Sequence, residues 1–419
     1  WKLGIRFLWG KRPYFDFVFG RQLDTRWQIL PRGTGFYCGE GPFDYVGTTS
    51  GLMTHNAIWA RRPDNSPIIT GSVGYHLENE TFVAFLEAHA RQLGIGIEED
   101  TVLEVQQNEA GISGLQCERG GLREADLFVD CSGFVSLLLG KTLNEPFVSY
   151  ESSLFNDRAV VGGWEREEEP IQPYTTAETM SSGWCWRIDH EFRINRGYVF
   201  SSAFQSEAAA EEEFRRANPK VRDTRFIRFR TGRYERAWVK NVVAVGNSGG
   251  FVEPLESTGL ACICEWSQGI AEILHETRGQ PTPTMIRAFN KRHSICWDII
   301  RDFLAVHFKF NTRYDTPYWQ ECRAKAELCG AQPIVEYFQE NGPSILWRPL
   351  LIDPKDQFGM EGYLSLLIGQ QVPYQLRSPL SAEELANWQR IRSAVRTQAE
   401  QAYSVPGALA LLRLPHFRW

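Results

Sequence analysis

The sequence predicts a layered α/β protein with a sheet inserted into it and a mainly helical C-terminal region. Three observations predict this. A helical pattern, a hairpin pattern and an apolar strand entering a glycine turn follow one another from Asn79 to Gly133. Residues 150–235 then read mostly as strands, before Asn241-Val242-Val243-Ala244-Val245 returns the chain to a buried strand of parallel type. From Thr284 onward the patterns are largely helical.

Residues 1–60 alternate aromatic and polar side chains with glycine-rich turns, and read as strands and loops. The first of these strands is Trp1-Lys2-Leu3-Gly4-Ile5-Arg6-Phe7. Phe82, Phe85, Leu86, His89 and Leu93 recur at helical spacing, so Asn79–Leu93 reads as a helix. Thr101–Gln106 and Gly111–Cys117 are short strands, and Ala125–Gly133 is a buried strand running into a glycine turn. Gly183–Ile188 and Arg196–Ser202 are strand-like, with a polar helix at Glu207–Ala217 after them. A further helix runs from Ser257 to about His275, and another over Ser294–Phe310. The pattern over Ser381–Ala402 opens with Ser381 as N-cap and Glu384 three residues on, a capping box. The expected organisation is therefore 1–64 (sheet and loop), 65–149 and 236–280 (the layered domain), 150–235 (the inserted sheet) and 281–419 (the helical region).

Composition narrows the function. The chain has 419 residues, 43% hydrophobic and 23% charged, enough to bury a large core. A net charge of −6 argues against a nucleic-acid surface. No apolar run approaches the ~18 residues that suggest a membrane span. Nine cysteines stand in apolar or helical contexts without Cys-x-x-Cys or Cys/His ligand spacing, so no metal is expected. They read as reduced, mostly buried thiols in a cytoplasm. Abundant aromatics, 14 Trp and 26 Phe, suit a pocket for a flat substrate, and suit an aromatic core equally.

The stretch Gly246-Asn247-Ser248-Gly249-Gly250-Phe251-Val252-Glu253-Pro254-Leu255-Glu256-Ser257-Thr258-Gly259 carries the most chemistry. Small residues at Gly246, Ser248, Gly249 and Gly250 allow close backbone approach to a ligand, and Asn247 offers an amide to a sugar or polyol hydroxyl. The amides near Thr258 and Gly259 open a helix, where partial positive charge favours an anion. Glu256 stands beside them, either as a cap or as a group meeting a reactive species. The plain alternative is a strand-to-helix turn with a capping glutamate. Trp184 and Trp186 alternate on a strand and so share one face, a pattern that on its own is more often core than site. Arg301, Asp302 and His307, with Arg313 and Asp315 after them, suggest a buried ionic network fixing the helical region, with His307 structural.

In this order and spacing the chain resembles the flavin-dependent halogenases of the tryptophan-halogenase branch. The strings that carry the resemblance cover nearly all of it: Lys2–Phe7, Gly74-Tyr75-His76-Leu77, Asp126–Phe134, Gly183–Ile188, Gly197–Ser202, Phe251–Gly259, Arg301-Asp302-Phe303 and Asp315-Thr316-Pro317. The resemblance implies a Rossmann-type, FAD-dependent monooxygenase-like fold. In it, 65–149 and 236–280 belong to the flavin domain and 1–64 faces the substrate. It implies that reduced FAD, supplied by a transiently bound flavin reductase, works with oxygen and chloride or bromide to make hypohalous acid. That acid then halogenates an electron-rich, indole-like aromatic in a separate pocket.

Carried over, Glu256 matches the active-site glutamate and Ser257 its neighbour. Thr258 and Gly259 match the halide-binding amides. Gly246, Asn247, Ser248, Gly249, Gly250 and Pro254 match the flavin-binding turn. Trp184 and Trp186 match a WxWxIP signature that keeps substrate from the flavin, although Asp189 replaces its proline. The family's GxGxxG turn and catalytic lysine have no counterpart here and are expected upstream of Trp1. Phe358–Leu364 matches the family's substrate-holding helix only in part. Two other readings are a flavin-dependent aromatic hydroxylase, whose substrate would touch the flavin, and a truncated, non-catalytic homologue acting by binding.

Overall fold

A computed structural model describes residues 1–20, 45, 47–69, 71–344, 346, 348–351, 353, 356–375, 381–415 and 417. The chain divides into two compact units, one of residues 1–76, 155–228 and 302–419, the other of residues 77–154 and 229–301. These cuts differ by several residues from the sequence-derived 64/65, 149/150 and 235/236. The last falls within one continuous helix, Pro283–Phe310, rather than at 280/281.

The first unit is built on a seven-stranded sheet. Its order is Arg225–Arg228, Arg158–Glu165, Arg193–Phe200, Gly183–Asp189, Thr175–Met180, Gly4–Leu8, Phe15–Val18. All neighbours are antiparallel except Gly4–Leu8 against Thr175–Met180, which join distant parts of the chain in parallel. Helix Glu207–Ala217 is capped by Ser206, which accepts from the Ala209 N–H. Its buried Ala210 and Phe214 cover one face of this sheet, against Cys185, Tyr198 and Phe200. Lys2 and Gly74, from two of the strings above, exchange backbone hydrogen bonds of 2.8 and 2.7 Å.

One expectation for residues 1–60 is corrected. Thr48–Thr54 is a helix, not a loop or strand. Its threonines, serine and glycine are weak helix formers. Local bonding and burial override them: the Ser50 hydroxyl accepts from the Gly47 N–H and donates to the Gly47 carbonyl, while Leu52 and Met53 are buried. Residues 21–44 and 46 lie outside the described residues. The expected strand near Arg196–Ser202 starts earlier, as Arg193–Phe200, because it pairs along the full length of its neighbour. Both halves of the capping box at Ser381 and Glu384 are formed, opening Ala382–Glu400.

The second unit holds three small sheets. Val242–Ala244 lies parallel to Phe128–Asp130 and antiparallel to Trp238–Val239. Gly250–Phe251 pairs with Gly232–Tyr234, which pairs with Phe147–Ser149. The hairpin Val102–Asn108 and Gly111–Cys117 continues into a third strand, Gly121–Arg123. The predicted helix forms at Asn79–Gln92, yet none of its residues is buried, and Val83, Phe85 and Leu86 are exposed. Strand Phe128–Asp130 also differs from its predicted full burial, since its middle residue, Val129, is exposed.

The eight described cysteines are free thiols. Only Cys117, Cys185, Cys262 and Cys322 are buried, fewer than expected, and Cys131, Cys264 and Cys329 are exposed. No described helix is long and apolar enough to cross a membrane.

Candidate functional site

The strand-to-helix segment of the second unit is held from beneath by hydrogen bonds. At the end of Phe128–Asp130, the Asp130 carboxylate accepts from the Leu138 and Leu139 N–H groups at 2.8 and 3.0 Å and from Ser132 N–H at 3.0 Å. That anchors the turn following one of the two parallel strands. Ser248 ties the turn following the other to it. Its hydroxyl is fully buried and donates to the Asp130 and Val245 carbonyls, and its own carbonyl accepts from Ser136 Oγ at 2.8 Å. Sequence reasoning treated Ser248 as a small residue facing a ligand. Its hydroxyl instead faces the scaffold.

The glycines of this turn divide in the same way. Gly246 has φ +72°, a conformation that side chains with a Cβ adopt only with strain. Gly249 and Gly250 are buried. A Cβ on Gly249 would meet His293 Nε2 at 3.2 Å, and one on Gly250 would meet Trp297 and Arg233 at 3.0 Å. Their smallness therefore serves packing against Pro283–Phe310 as well as any approach from outside. Asn247, by contrast, is exposed.

His293 and Trp297 are the residues that sequence reading missed. They lie one helical turn apart, and the Trp297 indole donates to His293 Nε2 at 3.0 Å. Burial holds the imidazole neutral, with its pKa lowered to about 3. Their i, i+4 spacing is visible in the sequence, but nothing local says what they touch. Asp130 and Ser132 had a signal, an Asp followed two residues later by Ser, which favours a side-chain-bonded turn. Further along, Tyr150 Oη donates to Asp298 Oδ1 at 2.6 Å, and Arg233 makes two bonds to the same carboxylate, both at 3.0 Å. Arg301, expected in an ionic network, lies 3.6 Å from Asp298.

After Phe251 the chain turns sharply. The Ser257 N–H donates to the Pro254 carbonyl at 3.1 Å, and Glu253 and Glu256 are both buried. Pro254 is exposed. Ser257 has φ +58° and is followed by Thr258 at φ −80°, ψ −17°. A left-handed residue before a right-handed one turns successive N–H groups toward a common point, a concavity that suits an anion. Helix Gly259–Glu276 begins there, with Thr258 at its N-cap. The Thr258 side chain makes no capping bond, and no acidic residue lies in the helix's first turn. A Cβ on Gly259 would meet nothing within 4 Å, so the helix start opens onto space. The helix seats itself through Cys262, Trp266 and Ile270, one buried stripe at i, i+4, i+8.

In the first unit, Trp184 and Trp186 do share one face of strand Gly183–Asp189, with ring centroids 5.9 Å apart. Trp184 is fully buried. Trp186 lies over Gly197, where a Cβ would come within 1.9 Å of its indole. Asp189, at the position of the signature's proline, is buried and accepts from Arg187 Nε at 3.0 Å and from the Gln172 N–H at 2.9 Å. His76 bonds the Asp189 carbonyl and Thr175 Oγ1, both at 3.0 Å, and burial pushes its pKa well down. His307 is fully buried among Phe7, Trp9 and Phe303, in keeping with a structural part. No cluster of three or more described His, Cys, Asp or Glu residues could hold a metal ion.

This turn places the protein in a class of α/β folds where a parallel strand delivers the chain, through small residues, to the start of a helix. Comparison with known proteins makes the class specific. The chain belongs to the tryptophan halogenase family, whose sequence profile matches residues 1–384. It is 36% identical to the tryptophan 7-halogenase RebH of Lentzea aerocolonigenes over 68% of this chain and 54% of RebH. It is also 36% identical to the tryptophan 7-halogenase KtzQ of Kutzneria sp. (strain 744), over 84% of this chain and 67% of KtzQ. The chain thus matches only about half to two thirds of the length of these relatives. Among solved structures it superimposes on MibH, a lathipeptide tryptophan 5-halogenase, with a TM-score of 0.86 and 36% identity over 98% of this chain and 79% of that one. The same score relates it to Tar14, a tryptophan C-6 flavin-dependent halogenase, at 28% identity over 99% of this chain and 86% of that one.

Proposed function

We propose that this chain carries the halide side of a FAD-dependent halogenase that acts on an indole-type aromatic. The observation that carries the reading is the start of helix Gly259–Glu276. The Thr258 side chain at its N-cap makes no capping bond, the start is open to space and preceded by left-handed Ser257, and the buried carboxylate of Glu256 lies beside it. Such a start offers backbone N–H groups to a small anion.

The residues present fit the flavin at this turn. Asn247 is exposed at its tip, and Gly246, Gly249, Gly250 and Pro254 shape the backbone around it. Reduced FAD, when bound, supplies the electrons with which oxygen oxidises chloride or bromide to hypohalous acid. Around that chemistry the Thr258 and Gly259 amides hold the halide and Ser257 sets their direction. Glu256 handles the proton of the acidic oxidant. Trp184 and Trp186 take the part of the family's signature pair. The relatives named above are tryptophan halogenases, so tryptophan, free or within a peptide, is the first substrate to try. A diffusible flavin reductase is the partner that the cofactor requires, in a cytoplasmic setting.

The test supplies the natural protein with a flavin reductase, oxygen and bromide, and screens indoles and phenols by mass spectrometry. Brominated product is expected, and bromide-soaked crystals should show an anomalous peak at Thr258 and Gly259. Hydroxylated product without bromination would select the hydroxylase instead. Neither FAD binding nor any product would sink the enzymatic reading.

A further inference from the structure

The first unit holds a cavity of about 440 Å³ on its seven-stranded sheet. It lies over Arg187 and Arg196. Side chains alternate along a strand, so Arg187 is on the face of Gly183–Asp189 opposite Trp184 and Trp186. Arg187 and Arg196 are directly opposed across two antiparallel strands, and both line the cavity. Like charges in such a pair repel unless anions balance them.

The balance present is incomplete at one of the two. Arg196 is nine-tenths buried, and its guanidinium bonds Asn218 Oδ1 at 2.6 Å through Nε and Glu178 Oε2 at 2.8 Å through Nη2. Arg187 bonds Asp189 Oδ1 at 3.0 Å through Nε alone. Among the described residues, nothing accepts from its two Nη groups. Those groups form the planar fork that matches a carboxylate with two parallel hydrogen bonds. Leu8, Trp164 and Pro219 also line the cavity and give it an apolar side. Glu178 and Glu169 line it too, but each is already paired, Glu178 with Arg196 and Glu169 with Lys220, which also lines the cavity.

We propose that this cavity is a binding site for a small monocarboxylate with a flat apolar body. The carboxylate pairs with the Arg187 fork, and the ring lies against Trp164 and Leu8. The proposal is independent of the halogenase reading, since no residue of the Gly246–Gly259 turn or of the tryptophan pair takes part.

Calorimetric titration of the natural protein with benzoate and its neutral isostere benzamide tests it. Benzoate should bind at least about tenfold more tightly than benzamide, and Arg187→Gln should remove most of that difference while leaving the melting temperature within about 2 °C. Crystals soaked in 4-bromobenzoate should show bromine in this cavity, a readout that does not depend on a variant folding. Equal affinity for benzoate and benzamide, affinity unchanged by Arg187→Gln, a bromine peak only elsewhere, or binding at crystal concentration only would each overturn the proposal.

Discussion

The seven-stranded sheet and the Gly246–Gly259 turn use their side chains in opposite ways. On the sheet, apolar bulk does the positioning. Trp184 is fully buried, Trp186 is laid onto Gly197, and Phe214 packs on the other face among Cys185, Tyr198 and Phe200. At the turn, polar groups do it. Asp130, Ser136 and Ser248 hold the chain with short buried hydrogen bonds, and what they hold outward is bare backbone. The second unit also leaves Phe85, Leu86, Val129 and Phe134 exposed, whereas the large sheet's core strands are covered. Dispersion tolerates small errors in position, because it sums many weak contacts. A hydrogen-bonded turn does not, because each lost partner strands a buried N–H. Substitutions at the turn should therefore act sharply and locally, and those on the sheet more diffusely.

The largest expected effect is on chemistry. Glu256→Gln should lower halogenation by roughly 10²–10³-fold while FAD binding stays nearly intact. Turnover and flavin titration read this, and unchanged turnover would remove Glu256 from the mechanism. Next comes the scaffold beneath it. Asp130→Ala leaves the Leu138 and Leu139 N–H groups buried without their acceptor and should cost about 3 kcal/mol. Hydrogen exchange should rise across residues 77–154 and 229–301 and stay low in the large sheet. A uniform rise through both units would erase the contrast.

On the sheet, Gly197→Ala forces a methyl group into the Trp186 indole and should cost about 2 kcal/mol by overpacking. Denaturant midpoints and the near-ultraviolet dichroism of the tryptophans check this. An unchanged spectrum would mean that the indole is free to move. The last prediction concerns pH. Burial holds the imidazole of His293 at a folded pKa of about 3, well below the ordinary histidine value of 6.5. The unfolded chain therefore takes up a proton first as pH falls. The stability from neutral His293 is complete above pH 6.5 and is lost progressively down to about pH 3. Between pH 8 and pH 5 that loss is about 2 kcal/mol. His293→Gln should flatten this part of the urea-unfolding profile, and a variant with the parent's slope would refute the assignment.

Local pattern revealed the elements whose reasons are local. Helix Glu207–Ala217 and strand Gly111–Cys117 have the predicted bounds, and the Ser381/Glu384 capping box closes as read. Helix Thr48–Thr54 was hidden because burial, not propensity, makes it. The same division runs through the candidate site. That a small-residue turn leads into the start of a helix is a property of the string Gly246–Gly259. That Ser248 bonds the Asp130 carbonyl, 118 positions away, is not.

By itself, then, the sequence determined the family, the two tryptophans on one strand face, and the order strand, turn, carboxylate and helix start. Each rests on residue types at short, fixed spacing, where backbone geometry alone sets direction. Only the tertiary structure decided which small residues of the turn face outward and which are packed from behind by His293, Trp297 and Arg233. It alone set Arg187 opposite Arg196, made Asp189 an anchor in place of a proline, and left Thr258 at the start of Gly259–Glu276 without a capping bond. Those facts come from groups distant in the chain meeting in space, and no local period encodes which of them will meet.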